Sequence, residues 1–363
     1  MVIVTYYHLN ANLTPGTVVP PHVVPLVTEH PGSRRNVVGV AVDSLNQLGV
    51  QCDSFASREY PRDTRDGVHA LVERLTAGGA AHVTGMGMGI TLCLWWDHSF
   101  WHTEHVLEVM ARAGPRQRIV HAVFNWDPTR GPTFQLPEDR RGLWPLVFVS
   151  DEGVPPVYTT QVRFLPPPVN THVFRPLQVQ HEWVASFACT NYYTGLPNQC
   201  ISRYEAVCAL SAALGPRFAF FGTFSTGKTD PHVCASFLGE VGYADLPYVA
   251  SASKVCLCLS ADMSVYKYMN ERMVIMAACG ANILCDPVAG FREYFGDTVL
   301  YLDPALPFLP QVLEAAEACE ARRPQREQLR ELAKRRFDGL VWANTVLEET
   351  ATYVLHADNE LST

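Results

Sequence analysis

Residues 222–229 read GTFSTGKT and follow the apolar run RFAFF, a literal match to the phosphate-cradling pattern G-x-x-x-x-G-K-[ST]. In a working loop of this kind, glycines let backbone N–H groups surround a phosphate, the lysine reaches the terminal phosphates and a helix starts at the Gly-Lys pair. Here Asp230-Pro231 follows at once. A residue before proline is pushed out of the α region, so the first helical turn that would carry the dipole is disfavoured. One reading is a P-loop ATPase or kinase, which also wants an apolar strand ending in an aspartate for Mg²⁺; ANILCD, ending at Asp286, is the candidate. The other is a glycine loop that meets its ligand without that helix.

Composition narrows the choice of partner. A chain of 363 residues exceeds one ordinary core, and 48% apolar with 18% charged residues marks a globular protein. Its formal net charge of −8 provides no general attraction for a phosphate backbone or an anionic lipid surface, so nucleic acid is not expected as a partner. The eleven cysteines are odd in number and sit mostly in apolar runs; Cys256-Leu-Cys258 has strand alternation instead of metal-ligand spacing. They are expected to be reduced core thiols of a cytoplasmic protein. MVIVTYYH lacks the basic start and long apolar core of a signal peptide, and no transmembrane run is expected.

The elements that must position any site alternate between short apolar runs and helical patterns, the signature of parallel βαβ units. In the first half, VIVTYY, VQCDSFA, AAHVTGMG and RIVHAVFNW read as strands, and residues 35–48, 66–79 and 104–114 as helices. Val38, Val42, Leu45 and Leu48 share one face of the first helix. The proline-rich passage FLPPPVNTHVFRPL at 164–177 interrupts the rhythm and marks a linker. The pattern then restarts with WVASFAC, a helix from Ser202 to Leu214, RFAFFG, DLPYVASA, KVCLCLS, ERMVIMAACG, ANILCD and TVLYLD, and ends in charged amphipathic helices. Two domains are expected, 1–168 and 169–363, with the final helices at about 325–357 crossing back to the first.

Several ordered pieces of the second half carry a family resemblance. GEVGYADLPYVASASKVCLCLS resembles the glycine loop, small helix and apolar strand of GT-B glycosyltransferases; YMNERMVIMAACGANILCD resembles their Asn-x-Arg helix ending in Ala-x-Gly. VAGFREYFGDTVLYLD resembles their turn before the last strand, and VRFLPPPVNTHVFRPL their inter-domain passage. The likeness is greatest to the branch with spore-maturation-type and single-chain group 1 transferases. It covers roughly the last 200 residues; the first 160 fit only a generic Rossmann-like half.

The resemblance implies an α/β fold of two Rossmann-like domains facing each other across a cleft. It also implies transfer of a sugar from a UDP- or GDP-linked donor to a hydroxyl acceptor, with no metal and no further cofactor. Gly222 and Thr223 would then approach the nucleotide by backbone contact, with Lys228 either assisting the diphosphate or remaining a solvated loop lysine. A diphosphate leaving without a metal must be met by cations, backbone N–H groups and a helix N-terminus. Asn270 can cap such a helix, Arg272 lies in its first turn and Lys267 stands just before it. Gly290 suits either a backbone approach to sugar or phosphate or a simple turn, and Tyr243 can flank a base or pack in its loop. Retaining members of group 1 carry two glutamates at places where this chain has Tyr268 and Ile275; Glu271 and Glu293 are the neighbouring carboxylates able to substitute.

On the acceptor side, GMGMGITLCLWWDHSFWHTEHV concentrates polar and aromatic residues. Its alternating Gly85, Gly87 and Gly89 do not form the dinucleotide G-x-G-x-x-G fingerprint. Asp97 and His98 lie between a strand and the next helix, where an imidazole or a carboxylate can take the acceptor's proton if transfer inverts; Asp97 can equally be a helix cap. His98, His102 and His105 lack a carboxylate partner, and no metal site is expected. Trp126 and Asp127 are further acceptor-side candidates. The remaining alternative is a GT-B-shaped binding protein without catalysis.

Overall fold

The computed structural model describes residues 2–7, 37–48, 52–54, 69, 72–73, 89–96, 103–113, 118–125, 146–150, 161–189, 200–222, 236–260 and 263–360. The chain divides into two compact units: one takes the described residues up to Leu165 and those from Gly339 onward, the other Pro166–Asp338. The expected strand AAHVTGMG and most of the expected helix at 66–79 lie outside the described residues.

In the first unit the elements are β1 (Val2–Tyr7), α1 (Val37–Gln47), β2 (Cys52–Ser54), β3 (Gly89–Trp96), α2 (Thr103–Ala113), β4 (Arg118–Asn125), β5 (Leu146–Val149) and β6 (Gln161–Phe164). They form a six-stranded sheet of order β2-β1-β3-β4-β5-β6. From β3 to β6 all neighbours are parallel, as βαβ units require. β1, by contrast, runs antiparallel to both neighbours, pairing Val4 with Cys52 on one side and with Leu92 on the other. An apolar run specifies a strand but not its direction, which is why an all-parallel reading of this half misses it. On α1 the buried positions include Val40, Ala41, Ser44 and Leu45.

The second unit restarts with β7 (Trp183–Ala188), α3 (Arg203–Leu214), β8 (Phe218–Phe221), α4 (Leu246–Ala252), β9 (Ser253–Cys258), α5 (Glu271–Ala278), β10 (Ile283–Cys285), α6 (Phe291–Phe295), β11 (Leu300–Tyr301), α7 (Phe308–Glu317) and α8 (Arg323–Arg336). Its five strands are all parallel in the order β11-β10-β9-β7-β8. Local chemistry sets the helix starts. Ser202 caps α3 by accepting from the Glu205 N–H while Glu205 reaches back to the Ser202 N–H, a reciprocal capping box. Asn270 caps α5 through its side-chain oxygen, 2.9 Å from the Met273 nitrogen. α8 shows few apolar residues, yet Leu329 and Ala333, one turn apart, are fully buried in the cluster that holds Met273, Ile275 and Met276 of α5. The chain enters and leaves this unit at one hitch, where the Val169 N–H donates to the Phe337 carbonyl at 2.8 Å and the Thr171 hydroxyl to Asp338 at 2.5 Å.

Beyond that hitch, α9 (Gly339–Glu360) belongs to the first unit. Arg163 of β6 pairs with Glu349 at 2.7 Å, and Trp342, 1% exposed, lies edge-on to Phe124 of β4 with ring centroids 5.8 Å apart. A buried indole truncated to alanine typically costs about 3–5 kcal/mol. Trp342→Ala is therefore expected to lower the unfolding free energy of the first unit, measured by urea denaturation, by an amount in that range; a change below about 1 kcal/mol would contradict the packing described.

Candidate functional site

In an open parallel sheet, ligands bind outside the carboxyl ends of the strands, at the point where the strand order reverses. In the second unit that point lies between β7 and β9, because β8 extends the sheet on one side of β7 and β9 to β11 on the other. Four residues follow the strand ends there: Cys189 after β7, Gly222 after β8, Ser260 beyond β9 and Asp286 after β10. The Cys189 N–H donates to the Phe221 carbonyl at 2.9 Å and the Gly222 N–H to the Gly239 carbonyl at 3.0 Å. Gly222 has φ of 149°, and a Cβ built on it would fall 1.7 Å from the Cys189 carbonyl oxygen. Only glycine lets the two strand ends approach this closely.

The first turn of α5 projects toward the same edge. The Arg272 guanidinium lies 5.3 Å from the centroid of the Phe187 ring on β7, and its Nη1 is buried without a hydrogen-bond partner among the described residues. Its positive charge opposes the rise that burial imposes on the thiols of Cys189 and Cys258, which places it among the strand ends. The neighbouring Glu271 accepts from the Tyr243 hydroxyl at 2.5 Å. Burial, reinforced by that carboxylate, pushes the phenol well above its ordinary range, so Tyr243 remains a proton donor.

Two loops are laced together beside α5. The Lys267 N–H donates to the Ala289 carbonyl at 2.7 Å, and the Ala289 N–H to the Met263 carbonyl at 3.0 Å. Lys267 has φ of 54°, the left-handed region that a non-glycine residue enters at a cost of about 1–3 kcal/mol. Its Nζ sits 5.0 Å from the centroid of the Tyr266 ring. Tyr266 in turn donates to Glu293 at 2.5 Å. Gly290, φ 80°, lies against this turn: an added Cβ would come within 2.7 Å of the Tyr266 ring and 2.8 Å of Lys267 Cγ. Tyr268 and Ile275, at the places of the two glutamates in retaining transferases, are each 3% exposed and belong to the core.

Gly222, Tyr243, Lys267, Asn270, Glu271, Arg272, Gly290 and Glu293 thus lie on loops and helix starts at the carboxyl edge of this sheet; Tyr243 bonds to Glu271, and Tyr266 meets both Lys267 and Glu293. Thr223 and Lys228 lie outside the described residues, as do Asp97, His98, Trp126 and Asp127. β3 ends at Trp96 and α2 begins at Thr103, so Asp97 and His98 fall between them in sequence. The Tyr266–Glu293 link was not apparent in the sequence, because the two residues are 27 positions apart and no local spacing joins them.

Asp286 emerges as a residue of the site's floor. Its side chain is fully buried, and Oδ2 accepts from the Ser260 N–H at 2.7 Å, clamping the end of β9 to that of β10. Burial raises its pKa to about 6, against the opposing hydrogen bonds from Ser260 and Cys200 and the charge of Arg203. The Cys200 thiol is itself pushed up to about 12, by burial and then by Asp286. A carboxyl whose folded pKa is raised is protonated in the native state where the unfolded chain is already ionised, so stability falls as pH climbs from about 4 to about 6 and then levels. Asp286→Asn removes that dependence. The stability of the variant relative to wild type is expected to rise over this window by on the order of 3 kcal/mol, read from urea midpoints at pH 4 to 8; a difference independent of pH would contradict it.

The geometry agrees with known proteins. A family model described as glycosyl transferase-like matches residues 203–346. A search of curated protein sequences gives no match. Among solved structures, Anabaena HepE in complex with UDP and glucose is similar with a TM-score of 0.60 and 12% identity, covering 91% of this chain and 99% of that one. A glycosyltransferase from Rickettsia africae is similar with a TM-score of 0.56 and 10% identity over 92% and 97% of the two chains. Sucrose-phosphate synthase from Thermosynechococcus elongatus has a TM-score of 0.51 and 15% identity over 80% and 79%. Similarity at such identities is one of fold, and the family match adds the domain type. The chain has the GT-B fold, and its residues 203–346 form a glycosyl transferase-like domain.

Proposed function

We propose that this chain is a glycosyltransferase that takes its sugar from a UDP- or GDP-linked donor held at the carboxyl edge of the second unit's sheet, without a metal ion, and passes it to a hydroxyl acceptor assigned to the first unit. The observation that carries the reading is Arg272: a guanidinium in the first turn of α5, at the strand-order switch point, with a buried nitrogen that no described protein group satisfies. A buried N–H left without an acceptor costs about 1–3 kcal/mol, more when charged, and a diphosphate oxygen would remove that cost. The α5 N-terminus and the Lys267 turn supply further positive potential for the leaving group. Tyr243, held as a donor by Glu271, is positioned near the same edge to flank the base. The HepE complexes with UDP-glucose and with UDP support the choice of donor class.

The P-loop alternative is less favoured. Asp286, its candidate for Mg²⁺, is fully buried, with one oxygen held by the Ser260 N–H, in a setting that raises its pKa to about 6. Cytoplasmic placement belongs to the same proposal, supported by the eight cysteines of residues 189–319 whose side chains are described, all of them free thiols. No helix among the described residues is long and apolar enough to cross a membrane.

Two measurements test the reading. UDP or GDP is expected to raise the melting temperature where Mg-ATP does not, and Arg272→Ala to weaken nucleotide binding by about 1.5–3 kcal/mol. Unchanged affinity in that variant would move the donor elsewhere. On the acceptor side, Asp97→Asn and His98→Ala are expected to slow transfer by about 10²–10⁴-fold with nucleotide affinity intact if transfer inverts. In a retaining reaction the departing phosphate takes the proton and the loss is small; a parallel fall in rate and affinity would remove both residues from the acceptor role.

A further inference from the structure

The opposite edge of the second unit's sheet, at the amino ends of its strands, carries a cavity of about 450 Å³, within the size range of small-molecule sites. β7 is six residues long, so roughly 15–20 Å of strand separates this edge from the switch point. One wall is the extended segment from Pro176 to Val179, another is His181 with Ser251, and the third is a face of α8 bearing Arg323, Arg326 and Arg330. Positions 323, 326 and 330 are three and four residues apart, so their side chains stack along one helical face.

The charges on this face are unevenly matched. Arg323 pairs with Glu327 at 3.2 Å, and Glu320 faces His181 at 3.7 Å. Arg326 donates from Nε to the Gly280 carbonyl at 3.0 Å and from Nη1 to the Cys319 sulfur at 3.5 Å, both neutral acceptors. Arg330 has a buried Nε without a hydrogen-bond partner among the described residues. Neither Arg326 nor Arg330 forms an ion pair among the described residues. Ser251 Oγ accepts from the Leu177 N–H at 2.9 Å, which leaves its O–H proton to donate. Leu177 and Val179, 38% and 37% exposed, form an apolar lip.

His181, Cys319 and Glu320 have ligand atoms within 4.8 Å of one another, close enough for a metal ion. The surroundings oppose one. Burial keeps the Cys319 thiol protonated, Arg326 donates to that sulfur, and two further guanidiniums line the same cavity. Uncompensated guanidiniums with a hydroxyl donor beside them are instead the chemistry that recognises a tetrahedral oxyanion, and the apolar lip suits a ligand with a carbon skeleton.

We propose that this pocket binds a small phosphomonoester, its phosphate held by Arg326 and Arg330 and its organic end against Leu177 and Val179. The site is separate from the donor site and stands whether or not that assignment holds.

Isothermal titration of the full chain with glycerol 3-phosphate, inorganic phosphate and uncharged glycerol tests it, each with and without saturating UDP. The expected result is saturable one-to-one binding of glycerol 3-phosphate, weaker binding of phosphate and none of glycerol, all unaffected by UDP. Arg330→Gln is expected to weaken binding at least tenfold, whereas Arg323→Gln, on the exposed end of the face, changes it less. Arg326→Gln also removes the Gly280 contact, so its effect counts only where the melting temperature matches wild type. Absence of binding in wild type, retention of full affinity in Arg330→Gln or displacement by UDP would overturn the proposal. So would a Zn²⁺ site that is lost in Cys319→Ser and excludes glycerol 3-phosphate. A chain that failed to bind UDP but passed these titrations would overturn the donor reading alone.

Discussion

A parallel sheet has no water-facing side, and much of the second unit follows from that constraint. Along β9, Val255 and Leu257 enter the cluster shared with α3 and α7, while Cys256 and Cys258 enter the one shared with α5 and α8. β10 repeats the division, with Leu284 on one side and Ile283 and Cys285 on the other. Both faces need helices, and each covering helix must return the chain to the amino end of the next strand. All loops after strands therefore collect at one edge, and all loops before strands at the other. The proposed donor edge and the proposed anion pocket lie at opposite ends of the strands because the sheet is parallel throughout.

The same constraint explains the treatment of polar groups at the strand ends. Where β9 and β10 finish, the Ser260 N–H would be left buried and unpaired; Asp286 supplies its acceptor and pays in a raised pKa. Where β7 and β8 finish, the absence of a side chain at Gly222 lets backbone meet backbone. Tyr243 and Tyr266 each donate to one oxygen of a carboxylate, Glu271 and Glu293, near the same edge. Neutral donors thus meet these carboxylates, and Nη1 of Arg272 keeps no hydrogen-bond partner among the described residues.

The second unit was readable in the sequence because its signals are local. Ser202 with Glu205, Asn270 before an apolar run and the Cys-Leu-Cys alternation each declare an element within a few residues, and the observed helix starts fall beside the expected ones. What could not be read depends on distant partners. The direction of β1 is set by its neighbours β2 and β3, not by VIVTYY itself. α8 looks like a solvated charged helix because only Leu329 and Ala333 face the core, and nothing in RPQREQLRELAKRR says that its arginines border a cavity closed by residues 176–181. Asp286 read as a possible metal ligand because a strand followed by aspartate is ambiguous until burial is known.

Net charge bears on which ligands the two proposed sites would take. The chain carries a formal charge of −8, so long polyanions meet repulsion over most of its surface. Within that field, one buried guanidinium nitrogen has no acceptor among the described residues at each of Arg203, Arg272, Arg322 and Arg330; Arg272 lies at one edge of the sheet and Arg330 at the other. A small phosphate-bearing molecule can approach the exposed part of such a guanidinium, whereas an extended backbone brings further negative charge against an acidic surface. Local guanidinium in a globally acidic protein thus favours compact phosphate ligands over nucleic acid, and burial of the guanidinium strengthens the preference by lowering the dielectric in which the contact is made.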